Sequence, residues 1–475
     1  MTLALAAAVL SLAAAQTAPG GGTPTGGSGA AQSPTGGQGT PPSAGAPQSA
    51  GSVSDLTPPP SMSLRIPGTR KSPTETSAGI DLGLLAEVLT QSLQITGGAS
   101  QVETGMQVVP TVAVGLTIPS FGFALGYSPQ LYLVTFSEGP LDTLHRGWAL
   151  AEWRASPVWH LYFAERLSYG NEDLTTPVTA PVQGAVGQQP QTLNPVSVAS
   201  LLYLNNEVSL GIAARLSPRL RLTAAVSYLA SGGLSTAGQE VMPYQYGPLV
   251  EFTLDWAVTR KSRLSTTLTG QASIFPVVYP ASSTSTGPVG QPGPQIYVAT
   301  LMETWRVQLS RFTSAWVIAG GSAANTSALT YLTYRAFSPV AGLGIESGTR
   351  SRQELRAFVQ LLLAPYVDPY LAIEYQRLSL NASLSWHPSA RWMLGLAGTA
   401  AWVPYSVQST STTPLTADKY GTVGPVLSFI PSKALSFTAG AYWQFQLANQ
   451  AEGIQPSFNQ WGAYLSGSFT DFEHF

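Results

Sequence analysis

From about residue 80 to the C-terminus the chain is built of segments in which apolar and polar residues alternate one by one. In Lys433–Leu447 one face carries Leu435, Phe437, Ala439, Ala441, Trp443, Phe445 and Leu447; the other carries Ser436, Thr438, Gly440, Tyr442, Gln444 and Gln446. Trp392, Leu394, Leu396, Gly398, Ala400 and Trp402 repeat the pattern, as do Leu378 to Trp386 opposite Arg377 to Ser385. A period of two is the strand period, since a helix brings side chains to one face at three and four residues. The alternation therefore predicts many half-greasy strands, each of which needs an apolar medium on one side only.

The connections between these segments take turns in length. Short ones fall at Ile118–Phe121, Ser156-Pro157, Ser217-Pro218, Thr259–Arg263, Ser310–Phe312, Gly348–Arg352, His387–Ala390 and Pro431–Lys433. Long Gly/Pro/Ser/Thr-rich ones fall near 136–143, 170–195, 231–246, 277–294, 325–334, 404–419 and 448–458, with a shorter one at Pro365–Pro369. Short turns on one side and long loops on the other are the pattern of a transmembrane β-barrel. Reading Asn205-Asn206 as interior to one long strand, and adding an ascending strand near Leu84–Gln94, gives about 18 strands, with 16 or 14 as alternatives. The final strand is expected to end near Thr470, because Asp471 and Glu473 break the apolar spacing of Phe469 and Phe475. Charged residues make up 10% of the chain, against about 25% in soluble domains. Hydrocarbon on the greasy face accounts for that deficit, and closure satisfies every backbone N–H and C=O.

The N-terminus has another character. Leu3–Ala15 is apolar, ends in small residues and is too short to span a bilayer, as in a signal peptide. Residues 16–78 are Pro/Gly/Ser-rich and hold little to bury, as in a disordered tether. The domain reading is thus a signal peptide at 1–15, a tether at 16–78 and a barrel at 79–475. With no cysteine and a formal charge of −2, disulfide frameworks, thiolate chemistry and a nucleic-acid partner are not expected.

With its secretory start, Pro/Gly-rich leader, hairpins such as RLSPRLRLTAAVSYLASGG and terminal Phe475, the sequence resembles outer-membrane β-barrel proteins of high-GC Gram-negative bacteria, of which porins are the best-known class. The resemblance implies integral outer-membrane localisation, contact with lipid and lipopolysaccharide, and recognition of the C-terminal strand by the barrel-assembly machinery. It also implies that short turns are periplasmic and long loops extracellular.

Parity assigns the chemistry. Glu152, Arg154, Glu251, Asp255, Arg306, Glu354, Arg356 and Arg377 oppose apolar neighbours and are expected to line a mixed-charge lumen, with weak cation preference. Trp153, Trp159, Trp256, Trp386 and Trp392 lie near short turns, as an interfacial aromatic girdle would. Glu165 and Glu303 share parity with Leu161 and Leu301; a β-bulge that turns each inward is the expected resolution, and a site shared with Arg166 or Arg306 is the alternative. Asn171-Glu172-Asp173 opens the longest loop and is read as solvated rather than as an ion site. No metal-ligand spacing, P-loop or nucleophile elbow is present, so neither cofactor nor catalysis is expected. The reading is a passive channel for small hydrophilic solutes. The alternatives are a structural or surface-binding barrel filled by residues such as Tyr162, Tyr442 and Phe358, and, third, a lipid-modifying enzyme using His145.

Overall fold

The computed structural model describes residues 77–95, 101–134, 142–172, 201–278, 290–327, 337–349, 354–368, 373–389, 391–402, 419–432, 434–447 and 458–474. The signal-peptide and tether assignments (to residue 76), Asp173, Phe475 and most long loops lie outside them. One sheet contains nineteen hydrogen-bonded segments, two of which are halves of a single strand, leaving 18. In chain order these are β1 (Ser77–Ile95), β2 (Gln101–Ile118), β3 (Phe121–Tyr127 continued by Gln130–Val134), β4 (Asp142–Arg154), β5 (Trp159–Glu172), β6 (Leu201–Ser217), β7 (Leu220–Gly233), β8 (Gln245–Ala257) and β9 (Ser262–Ile274). The second half comprises β10 (Gln295–Gln308), β11 (Thr313–Ser327), β12 (Phe337–Gly348), β13 (Glu354–Asp368), β14 (Ile373–Ser389), β15 (Trp392–Trp402), β16 (Lys419–Phe429), β17 (Leu435–Leu447) and β18 (Phe458–His474).

Each strand pairs antiparallel with its sequence neighbours, and β1 pairs with β18 from Gly79↔His474 to Ile95↔Phe458, so the sheet is closed. β3 breaks at Ser128-Pro129 because proline has no N–H to give the ladder; the Ser128 N–H donates instead to the Arg146 carbonyl at 2.8 Å. Asn205 and Asn206 lie inside β6, paired with Ser168 and Leu167, as the parity of the sequence requires. The eight short connections fall where the composition places them. The last strand departs from expectation: it runs to His474 rather than ending near Thr470, because β1 supplies backbone partners along that whole length.

Alternation is kept around the barrel. Leu84, Val112, Leu125, Leu268, Leu301, Val317, Leu343, Leu394 and Leu465 stand exposed on the outer face. An apolar belt of this kind is at home only in hydrocarbon. Trp153, Trp159, Trp256, Trp386 and Trp392 are all outward and exposed beside the short turns, and Trp305 joins them. At the long-loop end Trp443 stacks on Trp461 at 5.7 Å, and Tyr228 on Tyr246 at 6.4 Å.

The bulges expected at Glu165 and Glu303 are absent. Registers β4–β5, β5–β6, β9–β10 and β10–β11 run without a shift, so both carboxylates face outward. Register shifts lie instead at Arg215/Ser217 and Trp386/Ser389, next to short turns. Glu303 is supported on the outer face by the Thr266 hydroxyl, which donates to its carboxylate at 2.8 Å. Neither carboxylate can share a site with Arg166 or Arg306, which point the other way. The long connection after β7 is also more ordered than its composition suggests. It holds a short helix, α1 (Thr236–Val241), capped by the Ser235 hydroxyl, which accepts from the Gly238 N–H at 3.1 Å.

Candidate functional site: the inner wall

The inward face of the barrel is where polar side chains converge. At the short-turn end, successive strands place charges side by side. Arg215 of β6 is paired in register with Arg221 of β7, and Arg221 with Asp255 of β8. Asp255 accepts a hydrogen bond from the Ser265 hydroxyl of β9, and Arg263 of β9 lies directly opposite Arg306 of β10. Arg306 is the most constrained of these. Its Nε and Nη2 donate to Ser314 Oγ at 3.1 and 2.8 Å, Nη2 is ion-paired with Glu346, and its guanidinium lies 5.3 Å from the Trp316 ring centroid. Arg154 and Glu152 pair along β4 at 2.8 Å.

Of the other residues assigned to the lumen, Glu251 is inward and half-buried, and Arg356 is inward beside Ser385. Arg377 is inward but only 1% exposed, its guanidinium 4.0 Å from the Tyr366 ring centroid. That arginine is a packed wall element rather than a group facing open water. The Glu354 backbone lies in β13, and its side chain falls outside the described residues, as do those of Asn171 and Glu172. Sequence reasoning did not assign Glu346, Arg166, Glu207, Arg215, Arg221 and Arg263 to the lumen. Parity alone would have found them, since each alternates with an apolar outward residue. Higher on the wall, Arg166 pairs with Glu207 at 3.4 Å. Gln107 donates to Glu87 at 2.8 Å, and Gln130 donates to Gln107, so a buried amide–carboxylate chain links β1, β2 and β3.

The inner wall is not uniformly polar, as the alternation had suggested. Two apolar clusters interrupt it, one around Leu150, Tyr162 and Ala213, the other around Met302, Trp316, Ile318 and Leu362. The aromatic members follow a rule of their own. Trp148, Trp316, Tyr442 and Tyr464 each stand opposite a glycine on the neighbouring strand: Gly126, Gly344, Gly462 and Gly440. A Cβ at any of these glycines would come within 2.2 to 2.4 Å of the facing ring. Each ring therefore occupies the space a neighbouring side chain would fill and lies along the wall instead of across the lumen. The β17–β18 pair is reciprocal, with Tyr442 over Gly462 and Tyr464 over Gly440. Tyr442 thus does not support a filled interior.

Catalytic geometry is sparse. His145, the candidate for a lipid-modifying site, faces outward, with Nδ1 2.6 Å from the Tyr127 hydroxyl and the two rings stacked. Among the described residues no group of three or more His, Cys, Asp or Glu could hold a metal ion.

A family model described as the EpsX exopolysaccharide export family matches residues 89–412, more than half of the 475. The chain belongs to that family. The EpsX match runs from within β1 to the connection after β15, so it includes the arginine-bearing strands and the Trp148 and Trp316 platforms, and leaves the β17–β18 tyrosine pair outside. No curated protein sequence matches the chain. Among solved structures, OprD of Pseudomonas aeruginosa is similar at 13% identity over 86% of this chain and 98% of its own, with a TM-score of 0.42. OpdK of the same organism, crystallised with vanillate, is 11% identical over 83% and 99%, at 0.44. OccAB2 of Acinetobacter baumannii is 8% identical over 83% and 98%, at 0.43.

Proposed function

We propose that this EpsX-family barrel is an outer-membrane conduit through which exopolysaccharide leaves the cell, with its short turns in the periplasm and its long loops outside. The observation that carries this reading is the family match across residues 89–412. The physical setting agrees with it. A closed sheet of this strand number encloses an aqueous lumen unless something plugs it, and four inward rings lie over glycines of the wall. The apolar outer belt calls for a bilayer, with lipid and lipopolysaccharide as its surroundings, and a β-barrel of this kind enters the outer membrane through the barrel-assembly machinery. The cargo in this reading is a polymer rather than the free small solutes that the strand pattern alone brings to mind.

The test is deletion in the native host. Surface polysaccharide should fall to background and be restored by the wild-type gene, while general uptake of small sugars stays normal. Unchanged surface polysaccharide would refute export. Swelling of protein-containing liposomes in small sugars, combined with unchanged polysaccharide, would favour the small-solute channel.

A further inference from the structure

The short-turn mouth is electrically lopsided. On the inward face at this end of β6 to β10 stand Arg215, Arg221, Arg263 and Arg306; Asp255 is the one carboxylate on the same stretch among the described residues. Two of the arginine pairs are in direct register, Arg215 with Arg221 and Arg263 with Arg306. Side chains so placed on an antiparallel pair are about 4.5–5.5 Å apart at Cβ, and like charges there repel. At this end, among the described residues, two carboxylates stand beside the four arginines: Asp255, in register with Arg221, also accepts from Ser265, and Glu346 is shared by Arg306 and Ser314. The turns beneath add the exposed Arg219, Arg260, Lys261 and Arg311.

The opposite arc differs in character. At the same end of β16 to β18 the wall presents hydroxyls in mutual hydrogen bonds, Ser428 with Thr438 at 3.1 Å and Ser436 with Ser468 at 2.6 Å. Arg306 itself lies over the buried Trp316 ring, which packs against half-buried Phe358 at 5.8 Å.

We propose that the arginines of β6 to β10 form an anion-binding sector that captures the acidic groups, carboxylate or phosphate, of a polysaccharide strand as it enters the lumen. The proposal rests on the export reading and adds the substrate class, an acidic polymer. An anion between two registered guanidiniums relieves their repulsion and gains charge-assisted hydrogen bonds. Hydroxyls on the far arc suit neutral sugar edges. Because the lumen is wet, the attraction is screened by salt, which favours capture and release over tight holding.

The experiment uses full-length protein in nanodiscs of zwitterionic lipid and measures binding of two probes, an oligogalacturonate and a neutral malto-oligosaccharide of equal length. The acidic probe should bind at least about tenfold more tightly in low salt, and that preference should shrink as the Debye length falls. Arg263→Gln and Arg221→Gln, alone and together, should remove most of it while leaving neutral-probe binding and heat-modifiable gel mobility unchanged. Equal binding of the two probes, or a preference untouched by these substitutions, would overturn the proposal. So would a preference lost only with Arg219→Gln, Arg260→Gln and Lys261→Gln, since the anion would then sit on the rim, where lipid headgroups reach. Deletion of the gene separates the two readings: if it spares surface polysaccharide, export fails whatever the probes do; if it abolishes it and the probes bind alike, the acidic sector alone fails.

Discussion

Replacing Gly462 with alanine tests the idea that inward rings are seated on glycines. A Cβ at Gly462 would lie 2.3 Å from Tyr442 Cζ and 2.5 Å from its hydroxyl oxygen. Ordinary carbon contacts sit at about 3.5–4.0 Å, so the ring must retreat by about 1.2 Å or more. Overpacking of that size costs about 1–3 kcal/mol, and Gly462→Ala should therefore destabilise the barrel by about 1–2 kcal/mol. In a Tyr442→Ala background the obstacle is gone. There the same substitution should become neutral or stabilising by up to about 0.5–1 kcal/mol, through the lower entropy of the unfolded chain. The assay is urea unfolding of the barrel in lipid vesicles, followed by tryptophan fluorescence, for wild type, both single variants and the double variant, read as a thermodynamic cycle. Equal effects of Gly462→Ala with and without Tyr442 would show that the ring does not rest on the glycine. The Gly440/Tyr464 pair offers an independent second cycle. A ring displaced into the bore should also reduce single-channel conductance.

Other outcomes follow from the same geometry. Glu303→Leu should stabilise the barrel by about 1 kcal/mol in lipid, because a lipid-facing carboxylate is unfavourable there; a loss of stability in the vesicle unfolding assay would contradict its outward placement. Arg306→Gln leaves Glu346 without its cation, and with both groups about a third exposed the loss should be small, about 0.5–1 kcal/mol. Adding Glu346→Gln should recover part of that in the same measurement. Deleting Phe458–His474 removes the partner of β1 along its length, so the product should show no heat-modifiable band on a gel, whereas a folded species would argue that the sheet closes some other way.

The fold was legible because both of its determinants are local: alternation fixes which face a residue takes, and connection length fixes which end of the barrel it lies near. Placing Asn205-Asn206 inside a strand needed only parity. What escaped was whatever depends on the partner strand. The bulges expected at Glu165 and Glu303 assumed that a carboxylate must turn inward. The register instead holds both outward, and for Glu303 a hydroxyl on β9, Thr266, does what a bulge was expected to do. Parity gives Arg263 its inward face, but a single segment does not reveal that it will face Arg306 across a ladder. The seating of Tyr442 on Gly462 was hidden for the same reason: the two residues lie in different strands and only their register brings them together.

The seam between β1 and β18 also has a kinetic consequence. The ladder that shuts the cylinder joins the first described strand to the last, across nearly 400 residues of intervening sequence. Bringing distant ends together costs entropy before any contact rewards it. Until that final zipper forms, Ser77–Ile95 presents a row of unmatched amides and carbonyls to whatever is near. A chain of this design should need an escort between synthesis and insertion, and the vulnerable interval should last until the final hairpin arrives.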